Sequence, residues 1–282
     1  MFKSKSLKNF IKLLIPPVFF KLYQKFHRSA WGYTGIYASF SEAEQHANGY
    51  DSPEIIKKVL CSTKKVLAKE AVFERDSVLF YTEEYNYELI FSLYNVALQT
   101  GRLHVLDFGG ALGSTFRQHL KLLKPAIKDI CWNIVEQDSF LKAAESIDFE
   151  EELHFFKTID EVMENTEIDV ILFSSVLQYL ENPSEIIEKA HNIRYIIIDK
   201  HPEFCTKTEP LFTVQNVSEP VYNASYPLKI WGNGELQKTF DKTHYAINTW
   251  ELKFDYTQYL EDINGIKHKI KSTGMLLARR SL

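Results

Sequence analysis

Between Leu103 and Asp199, five apolar runs alternate with helix-period stretches, and that rhythm leaves few architectures open. The runs are 103–108, 130–135, 154–156, 169–173 and 195–199. Helical patterns follow at 114–123, 138–146 and 159–165. A fourth helix starts at Asn182-Pro183-Ser184-Glu185, with Asn182 as cap and Pro183 in the first turn. Strands joined by helices pair in parallel, and helices then cover both faces of the sheet. The sequence predicts an α/β fold built on a doubly wound, mostly parallel sheet.

The flanks are less regular. Residues 31–100 read as a mostly helical, tyrosine-rich cap. It has a short helix near Ser41 to Ala47, a second starting at Asp51-Ser52-Pro53, and a third over Tyr85 to Leu98. Residues 201–230 carry Pro202, Pro210, Pro220 and Pro227 and read as irregular. A helix is expected over Glu235 to Phe240. Strands are expected at Ala246 to Phe254 and Met275 to Arg279, forming a terminal hairpin joined by a long loop at 255–273. The predicted organisation is thus an N-terminal segment 1–30, a cap 31–100 and a Rossmann-like domain 101–282.

Charge separates the first of these from the rest. Residues 1–41 hold seven basic side chains and no acid, which leaves 26 basic and 37 acidic residues in the remainder. An acidic body argues against a binder of the phosphate backbone. Within the basic segment, Leu7, Phe10, Ile11 and Leu14, then Phe19, Leu22, Tyr23 and Phe26, fall at helical spacing. The apolar run Leu13 to Phe20 is short of the roughly 20 residues that span a bilayer. Residues 1–28 can therefore lie on an anionic membrane surface or dock on the domain with their lysines in water. No small-residue cleavage site follows the apolar stretch, so no signal peptide is expected. Cys61, Cys131 and Cys205 are far apart, and no Cys/His group has metal-ligand spacing. Reduced thiols in a cytoplasmic protein that can meet the inner membrane surface, and no metal, are the expectations.

The turn after the first strand is Asp107-Phe108-Gly109-Gly110-Ala111-Leu112-Gly113-Ser114. Strand, glycine-rich turn and helix start make a cradle where backbone N–H groups meet a nucleotide cofactor. A dinucleotide fingerprint G-x-G-x-x-G begun at Gly109 fails at Ala111 and Ser114. The pattern D-x-G-x-x-x-G fits Asp107, Gly109 and Gly113. An acid ahead of the turn would repel a pyrophosphate but suits the cationic amino-acid tail of S-adenosylmethionine. Glu136 ends the second strand, where a carboxylate can accept both ribose hydroxyls; a solvated loop acid is the plainer use.

These residues, with Trp132-Asn133-Ile134-Val135-Glu136-Gln137, resemble a class I S-adenosylmethionine-dependent methyltransferase. The stretches Asp169 to Leu180, Tyr195 to Asp199 and Tyr222-Asn223-Ala224-Ser225-Tyr226-Pro227 resemble the bacterial methyltransferases grouped as the LIC12133 family, over Trp31 to Arg280. The resemblance implies a seven-stranded sheet with an antiparallel last strand. It implies Asp107, Gly109, Gly110, Ala111, Gly113 and Ser114 around the methionine moiety, and Glu136 with Gln137 at the ribose. Thr158 would face the adenine edge; the nearby Asp160 leaves adenine recognition open. Many class I members have glycine where Ala111 stands, and a methyl is tolerable there if φ need not be positive. The family's association is with surface-polysaccharide gene clusters.

Methyl transfer mainly requires alignment of donor and acceptor, with a base nearby for a hydroxyl acceptor. Candidates belong at the carboxyl ends of strands four and five. Ser174 is expected on the cofactor side, and Ser175, Gln178 and Tyr179 on the acceptor side. Asp199 is the first candidate for base or orienter and His201 the second; a loop cap and a neutral surface histidine are their plainer uses. Tyr222 and Tyr226 can wall the acceptor site or simply pack. Trp31, Tyr33 and Tyr50 can stack on a sugar or fill core. The leading expectation is methylation of a hydroxyl on a sugar or other surface-glycan component, lipid-linked acceptors included. A non-catalytic nucleoside-binding partner in a glycan-synthesis complex is the alternative. A nicotinamide oxidoreductase is disfavoured at Ala111 and Ser114. A nucleic-acid methyltransferase is disfavoured by charge and by Ser174-Ser175-Val176-Leu177, where a base-flipping motif would stand.

Overall fold

A computed structural model describes residues 32–49, 53–218, 221, 223–252 and 258–280. The basic segment 1–28, Trp31, Tyr50 and Tyr222 lie outside the described residues.

The core is a mixed sheet. Its parallel strands are β4 (Leu103–Phe108), β5 (Ile130–Val135), β6 (Leu153–Phe156), β7 (Val170–Ser174) and β8 (Tyr195–Phe204). β11 (His244–Leu252) and β13 (Lys267–Arg279) extend it. The order is β11-β13-β8-β7-β4-β5-β6, with β13 antiparallel to both neighbours and β12 (Gln258–Glu261) added on β13. This is the doubly wound, mostly parallel Rossmann-like sheet expected from the sequence, with β12 as an eighth strand. Order reverses at β4, between β7 and β5, and opens a crevice at the carboxyl ends there.

Side-chain alternation explains why the apolar runs are continuous. Val105, Leu172, Ile197 and Leu276 face one side, under α3 (Tyr87–Thr100) and α4 (Ser114–Leu123). Their neighbours Leu106, Ile171, Ile196, Ile198 and Leu277 face the other. There they meet α6 (Ile159–Asn165), α7 (Ser184–Ala190) and α8 (Glu235–Phe240). The strands β4, β5, β7 and β8 bury both faces, so both parities are largely apolar there. α7 begins one residue later than expected, but Asn182 Oδ1 still accepts from the Ser184 N–H at 3.3 Å.

The flanks depart from expectation. Leu211–Val217 and Ala224–Ile230, expected irregular, form β9 and β10. With β1 (Gly32–Tyr37) they make an antiparallel three-stranded sheet in the order β1-β9-β10. The cap segment 31–100 contains strands as well as helices. Besides α1 (Phe40–Glu44), α2 (Pro53–Leu67) and α3 it holds β1 and a hairpin of β2 (Phe73–Arg75) and β3 (Val78–Phe80). Strand β8 runs to Phe204 because Lys200, at φ 60°, kinks the chain and lets pairing with β13 resume at His201. The long loop expected at 255–273 instead contains β12 and the first half of β13. Two further apolar clusters fix these parts over the crevice. One joins Ile55 and Val59 of α2 to Leu112 of the turn, Phe140 and Tyr226. The other joins Phe204 to Leu228, Ile230, Leu260 and Ile270. No helix among the described residues is long and apolar enough to cross a membrane.

Candidate active site

Asp107, the penultimate residue of β4, is almost fully buried, and Trp132 Nε1 donates to its Oδ2 at 3.0 Å. Burial pushes its carboxyl up to about 7; Glu136 adds to the rise, while Trp132 and Lys200 oppose it. The turn folds back on this acid. A Cβ at Gly110 would stand 2.7 Å from Asp107 Oδ2, so only glycine lets the backbone pass. Gly113, at φ 86°, heads α4 and would bring a Cβ equally close to Leu153. Ala111 is also left-handed, at φ 50°. The condition under which a methyl there is unstrained is therefore not met, and the site carries that cost.

Glu136 ties the turn to β5. Its Oε1 accepts from the Ala111 N–H at 3.0 Å and its Oε2 from the Gln137 N–H at 2.8 Å. Burial raises its carboxyl, and these two N–H groups lower it. Gln137 is exposed and caps α5 (Asp138–Ala144) through its backbone position. Thr158, beyond β6, is the exposed N-cap of α6 in a reciprocal capping box with Glu161. Asp160 pairs with Lys189 at 2.6 Å. Ser114 Oγ is held by Glu74 of β2. Glu74 also accepts from the Ser77 N–H at 3.0 Å, and burial pushes its carboxyl up to about 7.

The other wall follows β7 and β8. Asp199 has no exposed surface, and four donors converge on its carboxylate. They are Asn86 Nδ2 at 3.1 Å from each oxygen, Lys200 Nζ at 3.3 Å, Ser174 Oγ at 3.4 Å and Trp250 Nε1 at 3.4 Å. His201 is equally buried. Its Nε2 accepts from the Leu177 N–H at 3.2 Å, so Nδ1 carries the proton and donates to the Asp199 carbonyl at 3.0 Å. Burial holds it neutral, at about 4. Neither ring nitrogen has a free lone pair for an acceptor's proton.

Ser175, at φ 57°, receives a hydrogen bond from Gln178 Nε2 at 2.9 Å. Gln178 is buried, and its Oε1 has no hydrogen-bond partner among the described residues. Tyr179 donates to Gln215 Oε1 at 2.6 Å and stands edge-on to Tyr226, with centroids 5.8 Å apart. Burial first, then Asp76, pushes its phenol up to about 12, so it stays a donor. Tyr33 hydrogen-bonds Gln258 at 3.1 Å, in the antiparallel sheet. The crevice thus gathers Asp107, the turn, Glu136, Ser174, Ser175, Gln178 and Tyr179. Thr158 and Gln137 stand at the rim. A groove of about 620 Å³ between α2 and α4, lined by Val66, Leu67, Leu120 and Pro125, shares none of these residues.

Sequence reasoning missed Glu74, Asp76, Asn86, Lys200 and Trp250. The one local signal was Asp76-Ser77, a two-residue polar turn between Phe73 and the run Val78-Leu79-Phe80.

No family model matches the chain and no curated protein matches it, so the resemblance to the LIC12133 family finds no support in these comparisons. Solved structures do resemble it. The N-terminal domain of EvdMO1, crystallised with SAH and D-fucose, aligns at TM-score 0.45 and 13% identity, over 82% of this chain and 98% of that one. Thermoplasma acidophilum 1320 aligns at TM-score 0.40 and 12% identity, over 81% and 99%. Human N-acetylserotonin methyltransferase in complex with SAM aligns at TM-score 0.38 and 13% identity, over 68% and 51%. The architecture itself is defined by the strand order described above.

Proposed function

We propose that this chain transfers a methyl group from S-adenosylmethionine to a hydroxyl of a sugar or other surface-glycan component. The observation that carries the reading is the pair Asp107 and Glu136. Asp107 is buried and Glu136 half-buried at adjacent strand ends, and the glycine-rich turn between them is tied to Glu136 by the Ala111 N–H. A buried carboxyl with too little compensation is stabilised by a cation, and the donor's ammonium supplies one. Glu136 would hold the ribose hydroxyls, and the N–H groups heading α4 would hold the methionine carboxylate. Bound there, the donor supplies a methyl on a sulfonium, an electrophile that needs no further activation.

The chain's own task is then to seat the acceptor. Ser175, Gln178 and Tyr179 offer a neutral, hydrogen-bonding wall suited to hydroxyls. Asp199 and His201 act as positioning residues in this reading: both are saturated, and together they fix Ser174, Lys200 and the start of the turn at Leu177. The same saturation favours the second reading, a non-catalytic nucleoside-binding partner in glycan synthesis. The basic segment 1–28 would bring either form to a membrane carrying a lipid-linked acceptor. Deleting it should lower vesicle partition, and unchanged partition sinks that part.

Titration calorimetry with S-adenosylmethionine, S-adenosylhomocysteine and NAD tests the donor. Binding of NAD alone would overturn the proposal. Transfer of labelled methyl to a panel of sugar acceptors separates the two readings: turnover establishes the enzyme, and binding without turnover across the panel favours the partner.

A further inference from the structure

Strand β8 carries one residue more than its partner at the level of the crevice. Ile198 pairs with Met275 and His201 with Thr273, so Asp199 and Lys200 together oppose Gly274 of β13. Such a bulge bends the strand and re-aims a side chain. Lys200 takes the left-handed position in it, at φ 60°. Opposite, a Cβ at Gly274 would run into the Trp250 indole, so only glycine lets that ring lie against the strand. From there Trp250 Nε1 reaches Asp199 Oδ1 at 3.4 Å. The bulge is thus held from the neighbouring strands.

In a regular strand Asp199 and Lys200 would point to opposite faces. The bulge instead returns the Lys200 ammonium to its neighbour, 3.3 Å from Asp199 Oδ2 and 3.5 Å from Ser174 Oγ. Ser174 ends β7 and pairs with Asp199, and β7 lies between β8 and β4. Two residues on, Val176 lies against the glycine-rich turn: a Cβ at Gly109 would stand 2.7 Å from Val176 Cγ2. Contacts therefore run from Lys200 through Ser174 and its loop to the turn proposed for the donor. Asp199 does not depend on the lysine, because Asn86, Trp250 and Ser174 already donate to it. Asp199 has no exposed surface, whereas the Lys200 side chain is 28% exposed. The open end of the pair is the cation. An ammonium has three N–H groups, and Asp199 and Ser174 take two of them.

We propose that Lys200 selects an acidic acceptor: its ammonium binds the carboxylate of an acidic sugar whose hydroxyl receives the methyl group. The inference rests on the methyl-transfer reading above and narrows its acceptor. A cation already shared with Asp199 suits a monoanion better than a phosphate, which asks for more donors. Ser175, Gln178 and Tyr179, which follow Ser174 in the chain, are neutral and suit the sugar hydroxyls. Lys200 is thus a specificity-determining residue, and the bulge is the device that aims it.

The test compares sugars that differ in one carboxylate. Saturation-transfer NMR titrations on the S-adenosylhomocysteine complex set methyl glucuronide against methyl glucoside, and methyl galacturonide against methyl galactoside. In at least one pair the acid should bind about tenfold tighter, the worth of a hydrogen bond to a charged group. Lys200→Met keeps the stem without the charge and should bring that ratio within about twofold of one. S-adenosylhomocysteine should bind the variant as it binds wild type; a folded variant that loses it would assign the lysine to the donor and overturn the proposal. If Lys200→Met does not fold, Lys200→Arg decides, since it keeps the cation and must keep the preference for the acid. A wild-type chain that binds no S-adenosylhomocysteine sinks the methyl-transfer reading and this inference with it. Binding of S-adenosylhomocysteine with no preference for the acid in either pair sinks this inference alone.

Discussion

Asn86 places its amide nitrogen 3.1 Å from both carboxylate oxygens of Asp199, while its Oδ1 caps α3 by accepting from the Leu89 N–H at 3.2 Å. One side chain thus joins the cap to the floor of the crevice. The Asn86 N–H in turn donates to His119 Nε2 at 3.2 Å.

Asn86→Ala should destabilise the fold by about 2–4 kcal/mol. The lost helix cap accounts for about 1 kcal/mol. Leaving a buried carboxylate short of a donor accounts for about 1–3 kcal/mol. Asn86→Ser keeps the cap and should recover only the first part. Urea unfolding of both variants measures the split; a serine variant as stable as wild type would mean that the Asp199 contact contributes nothing.

Stability should depend on pH through two opposed pairs. Asp107 and Glu74 rise from 3.8 and 4.5 to about 7 on folding, so the native state holds protons that the unfolded chain has lost. Each therefore lowers stability as pH rises from about 4.5 to 7. His119 and His201 fall from 6.5 to about 4, so the unfolded chain takes up protons first, and each raises stability over about 4 to 6.5. Each group contributes a slope of up to about 1.4 kcal/mol per pH unit. Between about pH 4.5 and 6.5 the pairs nearly cancel in the wild type. Asp107→Asn removes one falling contribution, so its unfolding midpoint should climb with pH across that window. A midpoint that stays parallel to wild type would rule out the buried, proton-holding Asp107.

Ala111→Gly should be neutral or stabilising by up to about 1 kcal/mol. It relieves left-handed strain of about 1–2 kcal/mol. Greater freedom in the unfolded chain returns about 0.4–1 kcal/mol of that. Thermal unfolding decides: a clear loss of stability would show that the methyl, packed beside Ile55, Val59 and Phe140, contributes more than the strain costs.

Glu136→Ala should weaken S-adenosylmethionine by about tenfold to a hundredfold, because hydrogen bonds to a charged group contribute about 1.5–3 kcal/mol. It also frees the Ala111 N–H, so the product S-adenosylhomocysteine should weaken equally. Unchanged calorimetric affinities would remove Glu136 from the donor site.

The half of the crevice proposed for the donor was legible because its parts are local. Asp107, the turn and Glu136 lie at the ends of successive strands, and strand, turn and helix positions follow from hydrophobic period. The acceptor half was not. Asp199 and His201 stood at the right strand end, yet nothing in the sequence shows that Asn86, Trp250, Lys200 and Leu177 would occupy them.

By itself the sequence determined the parallel sheet, its order of strand and helix, and the glycine that Asp107 requires at position 110. Those depend on side-chain parity and on contacts a few residues apart. Tertiary structure alone decided that β1 pairs with β9, about 180 residues away, and that the β2–β3 hairpin is held by Ser62, Val221 and Ser114. Such pairings depend on which surfaces remain unburied once the central sheet has formed, and no local pattern encodes that remainder.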